Sequence, residues 1–244
     1  MTRLLVTRPR PEAASLGERL RRSGFETICV PTISIEPADD GSLARALGRA
    51  ERFDWLIVTS ANAVPPLANR VPPGVRVAAV GTTTAAALLD AGMRVDHVPT
   101  QYRSAAIAAG LGDLQGRRVL LARADAATPE LRRTLRDAGA RVTEAIAYRT
   151  VEGPPASRGP LQEALATNLD AIVFNSASAV RGLLALLDAG ERAEALRIPA
   201  LCIGPVTAGQ AKQVGFSVPV VAEEHTGIGL VRAVAAHFEM GAIA

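Results

Sequence analysis

Residues with distinctive chemistry are scarce in this chain. It has two cysteines, three histidines, five Phe, two Tyr and one Trp, and Lys212 is the only lysine among 27 basic residues. Cys29 and Cys202 each lie in an apolar run typical of a strand, which indicates buried thiols rather than a disulfide. The histidines lie far apart, and no HxxxH, CxxC or paired-carboxylate motif is present. No metal site is therefore predicted.

Charge and hydropathy give no indication of a nucleic-acid or membrane partner. The net charge is only +3, the arginines are scattered, and few aromatic rings are available to stack on bases. No run of about 18 uncharged apolar residues could form a transmembrane helix. The apolar run near the N-terminus, Leu4 to Val6, is too short for a signal peptide. We therefore expect a cytoplasmic protein with neither kind of partner.

Motifs that hold nucleotides or activate a serine are also missing. The chain has no GxxxxGK[ST] loop, no GxGxxG after its first apolar run and no GxSxG. These absences disfavour a nucleotide or nicotinamide cofactor and a serine nucleophile. We expect no cofactor.

The chain contains an internal duplication. RLLVTRPRPEAASLGERLRRSGFETICV, from Arg3, aligns with RVLLARADAATPELRRTLRDAGARVTEAI, from Arg118. FDWLIVTSANAV matches LDAIVFNSASAV with an offset of 116 positions, and VRVAAVGTTTAAALLDAGMRV matches IPALCIGPVTAGQAKQVGFSV with an offset of 123. Collinear matches of this kind indicate two copies of a unit of about 115 residues.

Each copy alternates short apolar runs with Ala/Leu/Arg-rich segments that end near a glycine. Runs such as LIV, VLLA and AIVF are typical of parallel strands buried on both faces. The glycines after the intervening segments are typical of helix C-termini. This alternation predicts an α/β fold with doubly wound parallel sheets and ten strands, five per unit.

Two strand-like segments, about 30–39 and 145–152, interrupt this alternation at equivalent places. They are predicted to link two domains, so that the first domain is discontinuous. Domain 1 would comprise residues 1–35 and 153–244, and domain 2 residues 40–145.

Small polar residues follow several predicted strands. In doubly wound sheets ligands bind beyond the carboxyl ends of the strands, where free helix N–H groups attract anions. Two interpretations remain open from the residues alone: ordinary helix N-caps, or an anion site between the two domains. The residues are Thr7, Arg8, Ser60, Ala61, Asn62, Gly81, Thr82, Thr83, Ser176, Ser178, Gly204 and Thr207.

An ordered set of motifs resembles the uroporphyrinogen-III synthase family over essentially the whole chain. They are VTRP, LIVTSANAV, VAAVGTTTAAAL, AYRTV, IVFNSASAV and ALCIGPVTAGQA. The resemblance implies two flavodoxin-like domains, joined by a two-stranded β linker, with the active site between them. It implies a monomer that closes hydroxymethylbilane, a linear tetrapyrrole with eight carboxylates, while inverting ring D and losing water. The product would be uroporphyrinogen III, for haem and related tetrapyrroles, made without metal or organic cofactor.

The resemblance also implies roles for particular residues. Tyr148 would hydrogen-bond the departing hydroxyl, and Thr207 would line the cleft beside Val206, where the family has a second threonine. The strand-end turns, including Ser60–Asn62, Gly81–Thr83, Ser176 and Ser178, would bind substrate carboxylates. Arg8, at the first strand end, and Arg103 would pair with propionates.

Two further expectations concern partners and alternatives. Hydroxymethylbilane synthase would hand its product over to this protein. The alternative function is a non-catalytic, two-domain module that binds a small polyanion by hinge closure.

Overall fold

The computed structural model describes residues 1–8, 12–38, 40–100 and 104–241. The chain divides into two compact units. Unit 1 comprises Met1–Ser34 and Val151–Ala244, and unit 2 comprises Ile35–Thr150. Five-stranded sheets with flanking helices form both units, as the alternating sequence pattern predicts.

In chain order, the strands and helices are β1 (Arg3–Val6), α1 (Glu12–Arg22), β2 (Glu26–Cys29), β3 (Ile33–Pro37), α2 (Ser42–Leu47), β4 (Trp55–Val58), β5 (Arg76–Ala79), α3 (Thr82–Asp90), α4 (Ser104–Gly110), β6 (Arg118–Ala124), α5 (Glu130–Asp137), β7 (Arg141–Glu152), α6 (Arg158–Leu165), β8 (Ala171–Phe174), α7 (Ala177–Ala185), α8 (Ala189–Ala195), β9 (Ala200–Cys202), α9 (Pro205–Gln213), β10 (Val220–Val221) and α10 (Gly227–Gly241). Short 3-10 helices span Ala50–Arg52, Ala61–Ala63 and Pro155–Ser157.

The sheet of unit 1 has the strand order β10-β9-β8-β1-β2. All of its neighbouring strands are parallel. Counted along the chain within the unit, this is the flavodoxin-like order 2-1-3-4-5. The prediction of a doubly wound parallel sheet is therefore confirmed for this unit.

The sheet of unit 2 has the order β3-β7-β6-β4-β5. Its strands β7, β6, β4 and β5 are parallel to their neighbours. Strand β3 lies at the edge beside β7, and these two strands contain the segments predicted to be linkers.

The two sheets have the same register when the sequence offsets are applied. In unit 1 Leu5 lies opposite Ile172, and in unit 2 their counterparts Leu120 and Leu56 lie opposite one another. Each repeat therefore contributes strands to both sheets. The first repeat supplies β1 and β2 to unit 1 and β4 and β5 to unit 2, and the second repeat supplies the remaining parallel strands.

The duplication is incomplete at one sheet edge. In unit 1, Val220 of β10 pairs with Leu201. Its counterpart in unit 2 is His97, which forms only an isolated parallel bridge with Ala78. The fifth strand of the unit 2 sheet is instead β3, at the opposite edge.

Both sheets are buried between aliphatic layers, as the shortage of aromatic residues predicts. All four residues of β4 and of β8 are buried. The fully buried ring of Phe174 packs edge-on against the ring of Phe216, with the ring centroids 5.4 Å apart. Each fully buried Leu, Ile or Phe contributes about 1.5 to 3 kcal/mol, so the layers hold the strand ends in place.

Across residues 1–8, 12–38, 40–100 and 104–241, no helix has the length and apolar character needed to cross a membrane. The same residues contain no cluster of His, Cys, Asp and Glu suited to a metal ion.

Candidate active site at the carboxyl edges of the two sheets

Parallel strands bring their carboxyl ends to one edge of each sheet, where ligands of doubly wound folds bind. In unit 1 this edge carries Arg8 after β1, Ser176 after β8 and Gly204 after β9. In unit 2 it carries Ser60 after β4 and Gly81 after β5. The residues selected from the sequence are thus gathered at one edge within each unit.

The turn between β8 and α7 is built around Ser176. Its backbone is extended, and its hydroxyl accepts a hydrogen bond of 3.1 Å from the N–H of Ala179, so it is the N-cap of the helix. The hydroxyl oxygens of Ser176 and Ser178 are 3.0 Å apart and share a hydrogen bond. Beside them, the Oδ1 atom of Asn175 is buried and has no hydrogen-bond partner among the described residues. The turn therefore holds a group of polar atoms beside free helix N–H groups.

The turn between β9 and α9 begins at Gly204, whose extended backbone any residue could adopt. Space is limited there, because a Cβ atom would lie 3.1 Å from the ring of His225, which would have to shift by a few tenths of an ångström. Pro205 occupies the first turn of the helix, where its missing N–H costs nothing. Thr207 is buried, whereas the side chain of Val206 is 79% exposed.

Thr7 and Arg8 have different surroundings at the end of β1. Thr7 is completely buried, and its hydroxyl donates a hydrogen bond of 2.9 Å to the carbonyl of Val173, so it joins β1 to β8. The Nη1 atom of Arg8 lies 3.9 Å from the point where a Cβ of Gly227 would stand, at the start of α10. Of the two, only Arg8 carries a positive charge that could attract a carboxylate.

Two residues at this edge were missed from the sequence. His225 is exposed and lies against Gly204. Thr226 accepts a hydrogen bond of 3.0 Å from the N–H of Gly229 at the start of α10. Their position after β10 was the available signal, but VV is too short a run to be read as a strand with a functional end.

In unit 2, the sequence prediction for Ser60–Asn62 needs correction. The Ser60 hydroxyl accepts a hydrogen bond of 3.2 Å from the N–H of Asn62, but it begins only the 3-10 helix Ala61–Ala63 and not an α-helix. Pro65 and Pro66 follow after Val64, and proline cannot continue a helix interior. The turn therefore lacks the helix N-terminus that its counterpart at Ser176 has.

The turn at Gly81 does begin an α-helix. Gly81 is the N-cap of α3 without a side chain to cap it, and the first turn contains no acidic residue. Thr82 and Thr83 are exposed there, whereas Thr84 is buried. Free N–H groups at such a helix start attract carboxylates.

Tyr148 lies where β7 pairs with the last residue of β6. Arg123 faces Ile146 and Ala124 faces Tyr148, so Ala147 is an extra residue at a β-bulge. The ring of Tyr148 is 9% exposed and belongs to the apolar cluster that includes Ala63 and Ala79, next to the turns at Ser60 and Gly81. Arg103, the second predicted arginine, lies outside the described residues.

The arrangement suits binding and orientation of a polyanion better than acid–base or nucleophilic chemistry. Its groups are hydroxyls and helix N–H groups in each unit, with the guanidinium of Arg8 and the imidazole of His225 in unit 1 and the phenol of Tyr148 in unit 2. Of the cysteines, Cys202 lies within β9, and burial raises the pKa of its thiol to about 11, so it remains protonated at neutral pH.

Comparisons with known proteins agree with this geometry. A family model described as uroporphyrinogen-III synthase HemD matches residues 14–232. A protein of Methanothermobacter thermautotrophicus, provisionally named uroporphyrinogen-III synthase, is 31% identical and covers 95% of this chain and 97% of its own length. The uroporphyrinogen-III synthase of Synechococcus elongatus is 27% identical, with 95% and 93% covered.

A solved structure shares the fold. A mutant uroporphyrinogen III synthase from Thermus thermophilus aligns with a TM-score of 0.62 and 22% identity, over 98% of this chain and all of that one. The family model matches most of the chain, so the chain belongs to the uroporphyrinogen-III synthase family.

Proposed function

We propose that this protein cyclises hydroxymethylbilane, with inversion of ring D and loss of water, to give uroporphyrinogen III. Its family makes it a cyclising enzyme of tetrapyrrole biosynthesis. The observation that carries the proposal is the equivalent placement of helix starts and small polar residues at the carboxyl edge of each sheet. Such an edge binds carboxylates and leaves the chemistry largely to the substrate.

In unit 1, substrate carboxylates would be bound by the hydroxyls of Ser176 and Ser178, the N–H groups at Gly204 and Thr207, and the guanidinium of Arg8. Thr7 would act indirectly, since its buried hydroxyl fixes the end of β1 from which Arg8 extends. In unit 2, the helix start at Gly81, Thr82 and Thr83 would bind further carboxylates. The turn formed by Ser60, Ala61 and Asn62 would offer hydrogen bonds but no helix dipole, because it begins only a 3-10 helix.

The covalent steps need little from the protein. The C–O bond of the hydroxymethyl group breaks as the pyrrole nitrogen supplies electrons, and the hydroxyl leaves as water after gaining a proton. Tyr148 would donate a hydrogen bond to that oxygen as it leaves. The resulting cation closes at the substituted carbon of ring D, the spiro intermediate fragments and recloses, and a ring proton is released. Holding the chain in the conformation for this closure is the main catalytic task.

A coupled assay tests the proposal. Hydroxymethylbilane is generated by its synthase, this protein is added, and the products are oxidised and separated as uroporphyrin isomers. Isomer III above the level without enzyme is the expected result. Formation of isomer I alone, with the protein shown to be folded, would contradict the proposal and favour the non-catalytic polyanion-binding module.

We also propose that the protein acts as a cytoplasmic monomer that receives hydroxymethylbilane directly from its synthase. Cys29 and Cys202 are not joined in a disulfide, which is consistent with a reducing compartment. Light scattering during gel filtration of the protein alone tests its oligomeric state, because a monomer has the chain mass of 25.4 kDa. The same measurement with the synthase added tests for the hand-over complex.

A further inference from the structure

Unit 2 has two adjoining cavities that the proposed reaction does not use. The first, of about 550 Å³, is lined partly by Arg45 and Arg49 near α2. The second, of about 510 Å³, is lined partly by Arg118, Arg136 and Arg141. Phe53 and Thr143 line both cavities. We call this continuous surface, with its five arginines, the arginine groove.

The arginine groove lies away from the candidate active site. Arg118 and Arg141 are the first residues of β6 and β7 and face one another in the sheet. Phe53 lies two residues before β4 begins. The second cavity is therefore at the amino edge of the sheet, whereas Ser60 and Gly81 are at its carboxyl edge.

The positive charge of the groove is not balanced by its lining. Glu144 is the carboxylate among the lining residues, and it is already bound by Arg123 and Arg132. Within the described residues, none of the five lining arginine side chains forms an ion pair. The lining has a formal charge of +4, larger than the +3 of the whole chain, so the positive charge is concentrated here.

The two flanking carboxylates do not neutralise the groove. Asp54 accepts hydrogen bonds from the N–H of Arg118 and the side chain of Arg117. Asp40 is bound by the N–H of Ser42, and this hydrogen bond, with the nearby charge of Arg45, holds its pKa below the usual range. Both are therefore ionised and engaged, and Arg49, Arg136 and Arg141 still have no acidic partner among the residues that the structure describes.

We propose that the arginine groove is a second, non-catalytic binding site for a polycarboxylate of the tetrapyrrole class. Guanidinium groups bind carboxylates through paired hydrogen bonds. Phe53 lines both cavities and is half-buried, so it adds an apolar surface to the lining that the arginines share. A ligand with carboxylates around an apolar body fits this pattern.

The size of the groove favours a small ligand over a macromolecule. Cavities of about 300 to 1,000 Å³ are typical of small-molecule sites, whereas a stable protein interface takes about 20 to 30 residues on each side. The choice of a tetrapyrrole rests on the proposed function, because substrate and product would both carry several carboxylates on an apolar tetrapyrrole body.

Equilibrium dialysis with uroporphyrin III, the stable oxidised product, tests the inference. The unmodified protein should bind two molecules, and the double variant Arg45→Gln/Arg141→Gln should bind one with unchanged affinity and the other at least about tenfold more weakly. Hydrogen exchange should show protection in residues 45–53 and 136–144 that the variant loses. Isomer III synthesis should be retained, because neither residue lies at the candidate active site.

Arg19→Gln/Arg22→Gln is the matched control, since it removes two exposed arginine charges from α1 in unit 1. It should leave both sites intact. A single site in the unmodified protein, or equal loss in both double variants, would overturn the inference. So would stronger protection of the same segments by polyglutamate or an oligonucleotide, which would indicate a macromolecular partner.

The two proposals fail separately. Isomer III synthesis without a second uroporphyrin site would refute the arginine groove alone. Binding at the groove without isomer III synthesis would refute the proposed reaction alone.

Discussion

A Cβ atom on Gly182 would stand 2.0 Å from the carbonyl oxygen of Thr32. Helix α7 therefore lies directly against the segment through which the chain leaves unit 1. The same carbonyl accepts a hydrogen bond of 2.9 Å from the N–H of Gly153, where the chain returns. The Thr32 hydroxyl donates a hydrogen bond of 2.8 Å to the carbonyl of Ala179. Both connecting segments are thus fixed to the helix that begins at Ser176.

Arg181 adds a second connection at the same place. Its guanidinium binds the carboxylate of Glu152 and also donates to the side chain of Gln210 on α9. Two of the helices that present the candidate binding turns of unit 1 are thereby joined to the returning segment. The counterparts of Arg181 and Gly182 in the other repeat are Pro65 and Pro66, so unit 2 has no equivalent contact.

We predict that Gly182→Ala destabilises the protein and impairs substrate binding. The new methyl group meets backbone rather than a flexible side chain, so α7 and the outgoing segment must separate. Overpacking of this kind costs roughly 1 to 3 kcal/mol. Urea denaturation should show the lower free energy of unfolding. KM for hydroxymethylbilane should rise, because Ser176 and Ser178 move with the helix.

Gly209→Ala is the control, because Gly209 also lies in a helix but a Cβ atom there meets nothing within 4 Å. It should stabilise the protein by about 0.5 to 1 kcal/mol, since alanine favours helix over glycine. Equal effects of the two substitutions would show that the contact with Thr32 is unimportant.

The repeats predict much of the fold but not its edges. The offsets between Leu5 and Leu120, and between Leu56 and Ile172, relate the residue pairing in one sheet to the pairing in the other. At His97 the fifth strand is reduced to an isolated bridge. This difference depends on packing and hydrogen bonds around His97, and a periodic sequence pattern does not record them. The bulge at Ala147, which brings Tyr148 into the core cluster, is likewise a tertiary feature.

Sequence patterns place the candidate site well but say little about which groups are available. Thr7 and Ser176 both follow a strand, but their hydroxyls have different partners. The Thr7 hydroxyl donates a hydrogen bond to the carbonyl of Val173, whereas the Ser176 hydroxyl caps a helix. The arginine groove draws its charges from three distant segments, so the same arginines look scattered along the chain. Only the fold brings Arg49 and Arg141 to one surface.

We predict that Ser176→Ala and Ser178→Ala separate capping from substrate binding. Ser176→Ala removes an N-cap and should cost about 1 kcal/mol of stability. Ser178 caps nothing, so Ser178→Ala should change the free energy of unfolding by less than about 0.5 kcal/mol. Both should raise KM in the coupled assay. An unchanged KM for Ser178→Ala would remove that hydroxyl from the binding site.

The carboxylate of Asp54 makes a pH-dependent contribution to stability. A hydrogen bond of 2.8 Å from the N–H of Arg118, helped by the side chain of Arg117, lowers its pKa. A carboxylate with a lowered pKa in the folded state stabilises the fold above its unfolded value of about 3.9, and the contribution is lost as pH falls through the folded value. The pair fixes the start of β4 to the start of β6.

We therefore predict that Asp54→Asn lowers stability by about 1 to 2 kcal/mol at neutral pH. The difference from the unmodified protein should stay constant down to about pH 5 and shrink below about pH 4. Urea midpoints measured at neutral pH and at two acidic values check this. A difference that does not depend on pH would assign the loss to packing instead of charge.

Tyr148→Phe is predicted to lower kcat without changing the fold. The substitution keeps the ring in its cluster, and the hydroxyl makes no hydrogen bond to any residue that the structure describes. The free energy of unfolding should therefore change by less than about 0.5 kcal/mol. Loss of the hydrogen bond to the leaving oxygen should reduce kcat by about 10- to 100-fold. Because binding rests on other groups, KM should stay nearly constant.

Tyr148→Leu is the companion variant, since it also removes ring packing and should lower stability as well as kcat. If Tyr148→Phe kept full kcat, the residue would serve packing alone. Departure of the hydroxyl would then depend on the electrons supplied by the substrate's own pyrrole nitrogen.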